Sequence, residues 1–241
     1  MVKPFDPPEL AVRIRTAERI LSLETRDITI FALAKLAESR DSDTGAHLER
    51  VRNYSRLLAQ WLHDEGRFKD QVDSDFVRLI YLTSPLHDIG KVGIPDSVLL
   101  KPGPLTDSEY ELMKTHARIG ADTLDSALAQ YPHARFLHLA RDIALTHHEH
   151  YDGRGYPQGL KGHAIPLCGR IVALADVYDA LTTERVYKPA LPHDVARQII
   201  VDQSGRQFDP EVVEAFMACD SHFEAIMTGE CADAELGVTG G

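Results

Sequence analysis

Histidine and aspartate recur as close pairs through the middle of this chain. His87-Asp88 stands in tandem, and His147-His148 is followed at once by His150-Tyr-Asp-Gly-Arg-Gly-Tyr-Pro157. Imidazole and carboxylate are ligands for hard or borderline divalent metals. Their repetition beside a Gly/Pro-rich loop asks for a metal-dependent hydrolase rather than a generic helical domain. Asp43 and His47 join them at i, i+4, near one face of a helix start. His116 and Asp176 complete a candidate ligand set of Asp43, His47, His87, Asp88, His116, His147, His148 and Asp176.

Adjacent residues on a helix point about 100° apart. His147 and His148 therefore suit two different ions better than one. The same holds for His87 and Asp88, except that a carboxylate can bridge. With Asp88 between two ions, the set divides into a two-metal site. Two ions roughly 3.5–4 Å apart stabilise both the attacking and the leaving oxygen of a phosphoester. A lone histidine is more often a hydrogen-bonded core residue than a ligand, so His63, His133, His138, His163, His193 and His222 are set aside. His150 reads as loop surface.

The elements that must position these groups are helical. Strand signals are weak throughout, and the expected fold class is all-α, a helical bundle with a long N-terminal helix. Metal sites in such bundles are built from inward-facing side chains of neighbouring helices. The first helix is expected from about Pro8 to Arg40. Its apolar residues Leu10, Ile14, Ala17, Leu21, Ile28 and Phe31 form a heptad-like stripe, interrupted at Glu24. Two readings of it stand level: it packs on the domain, or it joins two copies or relays a signal. Further helices are expected over about Thr44–Glu65, Ser74–Leu86, Ala134–His148 and Gly169–Thr182, with two more starting near Pro192 and Pro210. Gly90–Leu105 and Gly153–Pro166 read as loops. Thr106-x-x-Glu109 reads as a capping box opening the helix that carries His116. The tail from Gly229 is small, acidic and expected to be disordered.

Composition narrows the function. The net charge of −11 argues against sequence-independent DNA binding, which needs clustered Lys and Arg. It does not argue against a small phosphate substrate, because exposed charges are screened beyond about 10 Å at ordinary salt. No apolar run approaches the roughly 18 residues of a membrane span. Met1-Val-Lys-Pro-Phe-Asp6 lacks an apolar leader region. Cys168, Cys219 and Cys231 are few, odd in number and far apart, which suits a reducing cytoplasm.

Three segments carry a resemblance. They are Arg40-Asp41-Ser-Asp43-Thr44-Gly45-Ala-His47, His87-Asp88-Ile-Gly90-Lys91-Val-Gly-Ile-Pro95-Asp96, and His147-His148-Glu149-x-x-Asp152-Gly153-x-Gly155-Tyr156-Pro157. They resemble the HD-GYP family, a branch of the HD phosphohydrolases. The likeness continues through Ile165-Pro166, Arg170, Asp176-Val-Tyr-Asp179-Ala180-Leu181-Thr182 and Arg185-x-Tyr187-Lys188, and ends at Phe208-Asp209-Pro210. It covers about Leu33 to Phe216.

The resemblance implies an HD-superfamily fold and hydrolysis of cyclic di-GMP, a bacterial second messenger, to linear pGpG and in some members on to GMP. The attacking group would be a metal-bound hydroxide. The ligand set above coincides with the family's metal positions, and the resemblance favours iron or manganese. Lys91 matches the lysine beside the scissile phosphate, where a cation stabilises developing charge. Arg185 and Lys188 match phosphate-contacting positions. Tyr156 would line the substrate pocket. Asp179, one turn past Asp176, would orient Lys91 or the attacking water; its alternative is a surface helix carboxylate.

One departure matters. Three-metal members carry Glu where this chain has Asp43, one methylene shorter, so two ions are expected and the second cleavage is placed in doubt. Glu38 reads as structural rather than as a substitute ligand. At the N-terminus, Lys3-Pro4-Phe5-Asp6-Pro-Pro-Glu9-Leu10-x-x-Arg13 is similar to the end of a response-regulator receiver domain. The alternative is an ordinary Pro-rich helix start. The expected division is 1–30 receiver remnant and linker helix, 31–228 catalytic domain, 229–241 tail. The phosphoacceptor of a receiver is not among these residues. A competing function is a weakly active metal- and nucleotide-binding module working through a protein partner. A third is an HD hydrolase acting on another nucleotide.

Overall fold

The computed structural model describes residues 25–40, 45–184 and 189–230. Among them no strand forms, and the β-like pairing that occurs is an isolated bridge between Ser204 and Phe208. The all-α expectation holds. Helix α1 runs over 25–38, followed by α2 (Gly45–Asp64), α3 (Ser74–Thr83), α4 (Asp96–Leu99), α5 (Asp107–Lys114) and α6 (His116–Leu128). Then come α7 (Arg135–Thr146), α8 (Leu167–Thr182), α9 (His193–Asp202), α10 (Pro210–Ala218) and α11 (Asp220–Thr228). Short three-ten turns occupy Ser84–Leu86, Ile89–Gly93 and Gly162–Ala164.

Helix α8 is the centre. It is apolar on nearly all sides, as a helix surrounded by others must be, and Ile171, Val172, Leu174, Ala175 and Tyr178 are buried on it. Helix α2 lies against α8 through Val51, Tyr54, Leu58 and Leu62, spaced three or four apart. On these two pack α3, α7, α9, α10 and α11. Four rings interlock behind them: Tyr54 stacks on Phe223 at 4.5 Å, and Tyr178 meets Tyr54 edge-on at 5.1 Å and tilts against Phe216 at 5.5 Å. Arg170 of α8 ties the bundle to α10. Its buried guanidinium pairs with Asp209, the N-cap of α10, and its Nε donates to the Ile165 carbonyl at 3.0 Å.

Helix α1 buries a face that follows its stripe only in part, with Phe31 half-buried against the domain. Ile30 and Ala34 pack against Leu48, Leu86, Leu124, Ala140 and Ala144, and Ala37 is buried as well. Ile28, a stripe member, is 70% exposed. The earlier stripe members Leu10, Ile14, Ala17 and Leu21 and the receiver-like segment lie outside the described residues, as does the tail from residue 231.

Helix ends differ from the periodicity in ways that matter for the site. The helix expected to reach Leu86 stops at Thr83. Pro85 lacks an N–H, and the chain tightens into the three-ten turn that delivers His87-Asp88. The capping box forms, with Thr106 and Glu109 bonding reciprocally. The helix it opens ends at Lys114, and His116 begins α6. Between them the Thr115 hydroxyl bonds back to the Leu112 carbonyl at 2.6 Å, offering an alternative to helical pairing. The segment expected as an irregular loop from Gly90 contains a three-ten turn and α4. Arg40 clamps it, donating to the carbonyls of Val92 and Ile94 and to the Asp96 carboxylate.

Gly90 rests directly on α6. A Cβ there would lie 2.0 Å from the His116 carbonyl oxygen and 2.5 Å from the Gly120 nitrogen, both main-chain atoms. Gly90→Ala should therefore cost about 3 kcal/mol, a fall in unfolding temperature of roughly 6–12 °C. Thermal circular dichroism would check it; an unshifted midpoint would mean that α6 yields freely.

Candidate metal centre

Five segments converge on Asp176 of α8 and its surroundings. His47 comes from α2, His87 and Asp88 from the bend between two three-ten turns, and His116 from the first residue of α6. His147 and His148 close α7, and Asp176 comes from α8. The histidines are oriented before any ion is considered. The Nδ1–H of His87 donates to the Ser84 carbonyl at 2.8 Å, that of His116 to Met113 at 2.7 Å, and that of His147 to Ile143 at 3.0 Å. A carbonyl can only accept, so Nδ1 carries a hydrogen and Nε2 is the atom left to coordinate. His47 is held likewise, its Nδ1 2.7 Å from Asp179 Oδ2.

The inward-facing atoms form two groups, Asp88 with His116, His147 and His148, and His47 with His87 and Asp176. Within each, the ligand atoms lie inside 4.8 Å of one another. Asp88 links the two. Its Oδ1 is 3.2 Å from His116 Nε2 and 3.7 Å from His147 Nε2, while its Oδ2 is 3.3 Å from His87 Nε2 and 2.8 Å from Lys91 Nζ. In the other group, Asp176 Oδ1 lies 3.6 Å from His47 Nε2 and 3.8 Å from His87 Nε2.

A divalent cation fits these residues. His87 Nε2 and Asp88 Oδ1 are buried and make no hydrogen bond among the described residues. Buried polar atoms left so are costly, and lone pairs of imidazole and carboxylate facing one another need a positive charge between them. Electrostatics agree. Burial alone would raise the Asp88 carboxyl, yet the charges of Lys91 and His87 and the His116 and His147 rings hold it well below the usual range. Burial pushes His148 well below the ordinary imidazole value, and His147 below it, so both rings stay neutral and ready to coordinate.

A cavity of about 280 Å³ opens over both groups, with Lys91, Met113 and Tyr156 in its wall. The Tyr156 ring lies on His148, centroids 4.6 Å apart. The loop behind it is stapled by Glu149, a buried carboxylate that accepts from the main-chain nitrogens of Gln158 at 2.7 Å and Leu160 at 2.9 Å.

The HD domain profile matches residues 32–212, most of this chain. The chain belongs to the HD domain family. By the motifs quoted above it falls in the HD-GYP branch. It is 55% identical over 202 residues to a protein named cyclic di-GMP phosphodiesterase from Vibrio cholerae, covering 84% of this chain and 41% of that one. It is 41% identical to the cyclic di-GMP phosphodiesterase response regulator RpfG of Xanthomonas campestris, covering 94% of this chain and 62% of that one. This chain thus spans less than two thirds of either relative. A solved structure of a cyclic GMP-AMP-specific phosphodiesterase from Vibrio cholerae shares the fold, with a TM-score of 0.56 at 21% identity over 83% of this chain and 50% of that one. The HD fold is one that holds divalent metal, and this chain brings together residues suited to it.

Of the ligands named from sequence, the HD domain draws together His47, His87, Asp88, His116, His147, His148 and Asp176. Asp43, Arg185 and Lys188 lie outside the described residues. Two expectations are corrected. His147 and His148 fall in the same group, because His147 is the C-cap of α7 and His148 lies beyond it, where the 100° spacing of a helix no longer applies. Asp179, expected on Lys91 or on water, is buried behind His47, its oxygens taken by that ring and by Arg50. Glu38, read as structural, is buried with Oε1 4.0 Å from His47 Nε2, at the margin of the second group. Arg50 and Glu149 received no role from sequence. Arg50 carried one signal, its place three residues from His47 on the same helix face.

A pH dependence follows from His87. Burial by itself would lower its pKa, but Asp88 and Asp176 and the Ser84 carbonyl outweigh this and raise it to about 9. Below that pH the metal-free protein holds a proton on His87 that an incoming ion must displace. Affinity for Mn²⁺ should therefore climb by roughly tenfold per unit between pH 7 and 9, with proton release. Calorimetric titration in buffers of different ionisation enthalpy reads both; affinity flat across that range would contradict it.

Proposed function

We propose that this HD domain hydrolyses cyclic di-GMP to linear pGpG in bacterial second-messenger signalling, using two divalent ions, iron or manganese. The observation that carries the reading is the Asp88 carboxylate, shared between two His/Asp groups with Lys91 on its outer oxygen, at the floor of an open cavity. Ions bound there would lower the pKa of a coordinated water and neutralise phosphate charge. The chain's own residues supply the rest. Lys91, beside Asp88 and facing the cavity, stabilises charge that develops on the phosphate oxygens. Tyr156 forms the wall against which the nucleotide lies. Arg185 and Lys188, which follow α8 in sequence, grip the phosphates, Arg as a fork and Lys as a point charge. Asp43 leaves the third ion out, and hydrolysis stops at pGpG.

The names of the relatives support the substrate, the match to a response regulator over 94% of this chain supports residues 1–30 as receiver remnant and linker, and the profile match over 32–212 supports a catalytic unit over 31–228, with 229–241 as a tail. No helix among the described residues is long and apolar enough to cross a membrane. A cytoplasmic site of action fits a cytoplasmic messenger. The exposed face of α1 is offered for a second copy or a signalling partner.

The test is turnover of cyclic di-GMP by protein loaded anaerobically with Fe²⁺ or Mn²⁺, with pGpG and GMP separated by chromatography and metals counted. Two ions and pGpG as end product are expected. His87→Ala and Asp88→Ala should lose both ions' cooperation and all turnover. Lys91→Ala should keep its ions and lose about 10²–10³ in kcat. A fully loaded wild type that binds the nucleotide without cleaving it would make the protein a binding module.

A further inference from the structure

We infer that Arg50 is a positioning residue for the second metal group, acting through Asp179 on His47. The inference rests on the two-metal reading. His87, His116 and His147 are aimed by main-chain carbonyls, which no substitution removes. Among the described ligands with a bonded Nδ1, His47 is the one aimed by a side chain, Asp179. What fixes Asp179 therefore fixes His47.

Arg50 does the fixing. Its Nε donates to Asp179 Oδ1 at 2.5 Å and its Nη2 to Oδ2 at 2.9 Å. Two parallel bonds from a planar fork set the plane of a carboxylate as well as its position. That plane presents Oδ2 to His47 Nδ1, and the ring then turns Nε2 toward Asp176 and His87. Asp179 is almost wholly buried, so water cannot stand in for a lost partner. The same Nη2 donates to the Thr183 hydroxyl at 2.9 Å, just past the end of α8 and just before the stretch that holds Arg185 and Lys188. One side chain thus ties α2, the carboxylate of α8 and the exit of α8 together around His47. Lysine carries the same charge without the fork, so Arg50→Lys separates geometry from charge.

The experiment is equilibrium dialysis of the full chain against Mn²⁺ with metal analysis, alongside circular dichroism. Wild type should bind two ions. Arg50→Lys should keep its helical signal and its first ion, and bind the second at least about tenfold more weakly, as should His47→Ala. The double variant should match His47→Ala alone, because Arg50 acts through that ring. Two ions at wild-type affinity in Arg50→Lys would overturn the inference, as would a double variant that also weakens the first ion. Should Arg50→Lys fail to fold, the isosteric Asp179→Asn reads the same contact: loss of the second ion with the first intact supports it, and retention of both overturns it. A wild type that binds fewer than two ions refutes the two-metal reading itself, and this inference with it.

Discussion

Everything in this molecule is arranged around one half-buried carboxylate whose inner oxygen is closed off from water. Asp88 sits among imidazoles, and a carboxylate taken from water costs several kcal/mol unless opposite charge meets it. Lys91 meets one oxygen at 2.8 Å, and His116 and His147 approach the other. Because the two oxygens serve different groups, segments far apart in the chain must come within a few ångströms of one residue. That demand explains why Gly90 has no room for a side chain against α6. It also explains why α8, which brings Asp176 and Asp179 to the same place, is buried almost all round.

The ligands sit at helix ends more than in helix middles. His87 and Asp88 lie between three-ten turns, His116 opens α6, and His147 and His148 close α7. Within a helix, neighbours diverge by about 100°; at an end the backbone is free to converge. Near those ends the histidine Nδ1 atoms use carbonyls three or four residues earlier in the chain to set their rings. Orientation is thus largely local, and convergence is global. Glu149 extends the same economy to the loop, satisfying two of its main-chain nitrogens from a residue adjacent to the ligand pair.

Much of this was legible in the sequence, for reasons that can be named. Helix existence follows from three- and four-residue apolar spacing, which α2 and α8 show plainly. The capping box at Thr106 works because both partners are local. Seven of the candidate ligands come together in the fold, and they were readable because metal chemistry restricts residue types and the ordered motifs left few alternatives. What failed was anything that depended on where a helix stops or which face it turns inward. Pro85 ended α3 early, Thr115 split an expected helix, and the stripe of α1 did not predict Ile30, Ala34 and Ala37 as buried.

The sequence by itself determined that the chain is helical and that its His and Asp residues are a set chemically suited to divalent metal. Only the tertiary structure decided that His147 and His148 fall in the same group. It alone turned Asp179 away from the cavity, to Arg50 and His47. The physical reason is range. Residue type and spacing act over a turn of chain, whereas the direction of a side chain at a helix end, and the partner of a buried charge, are set by whatever other segments the fold packs against it.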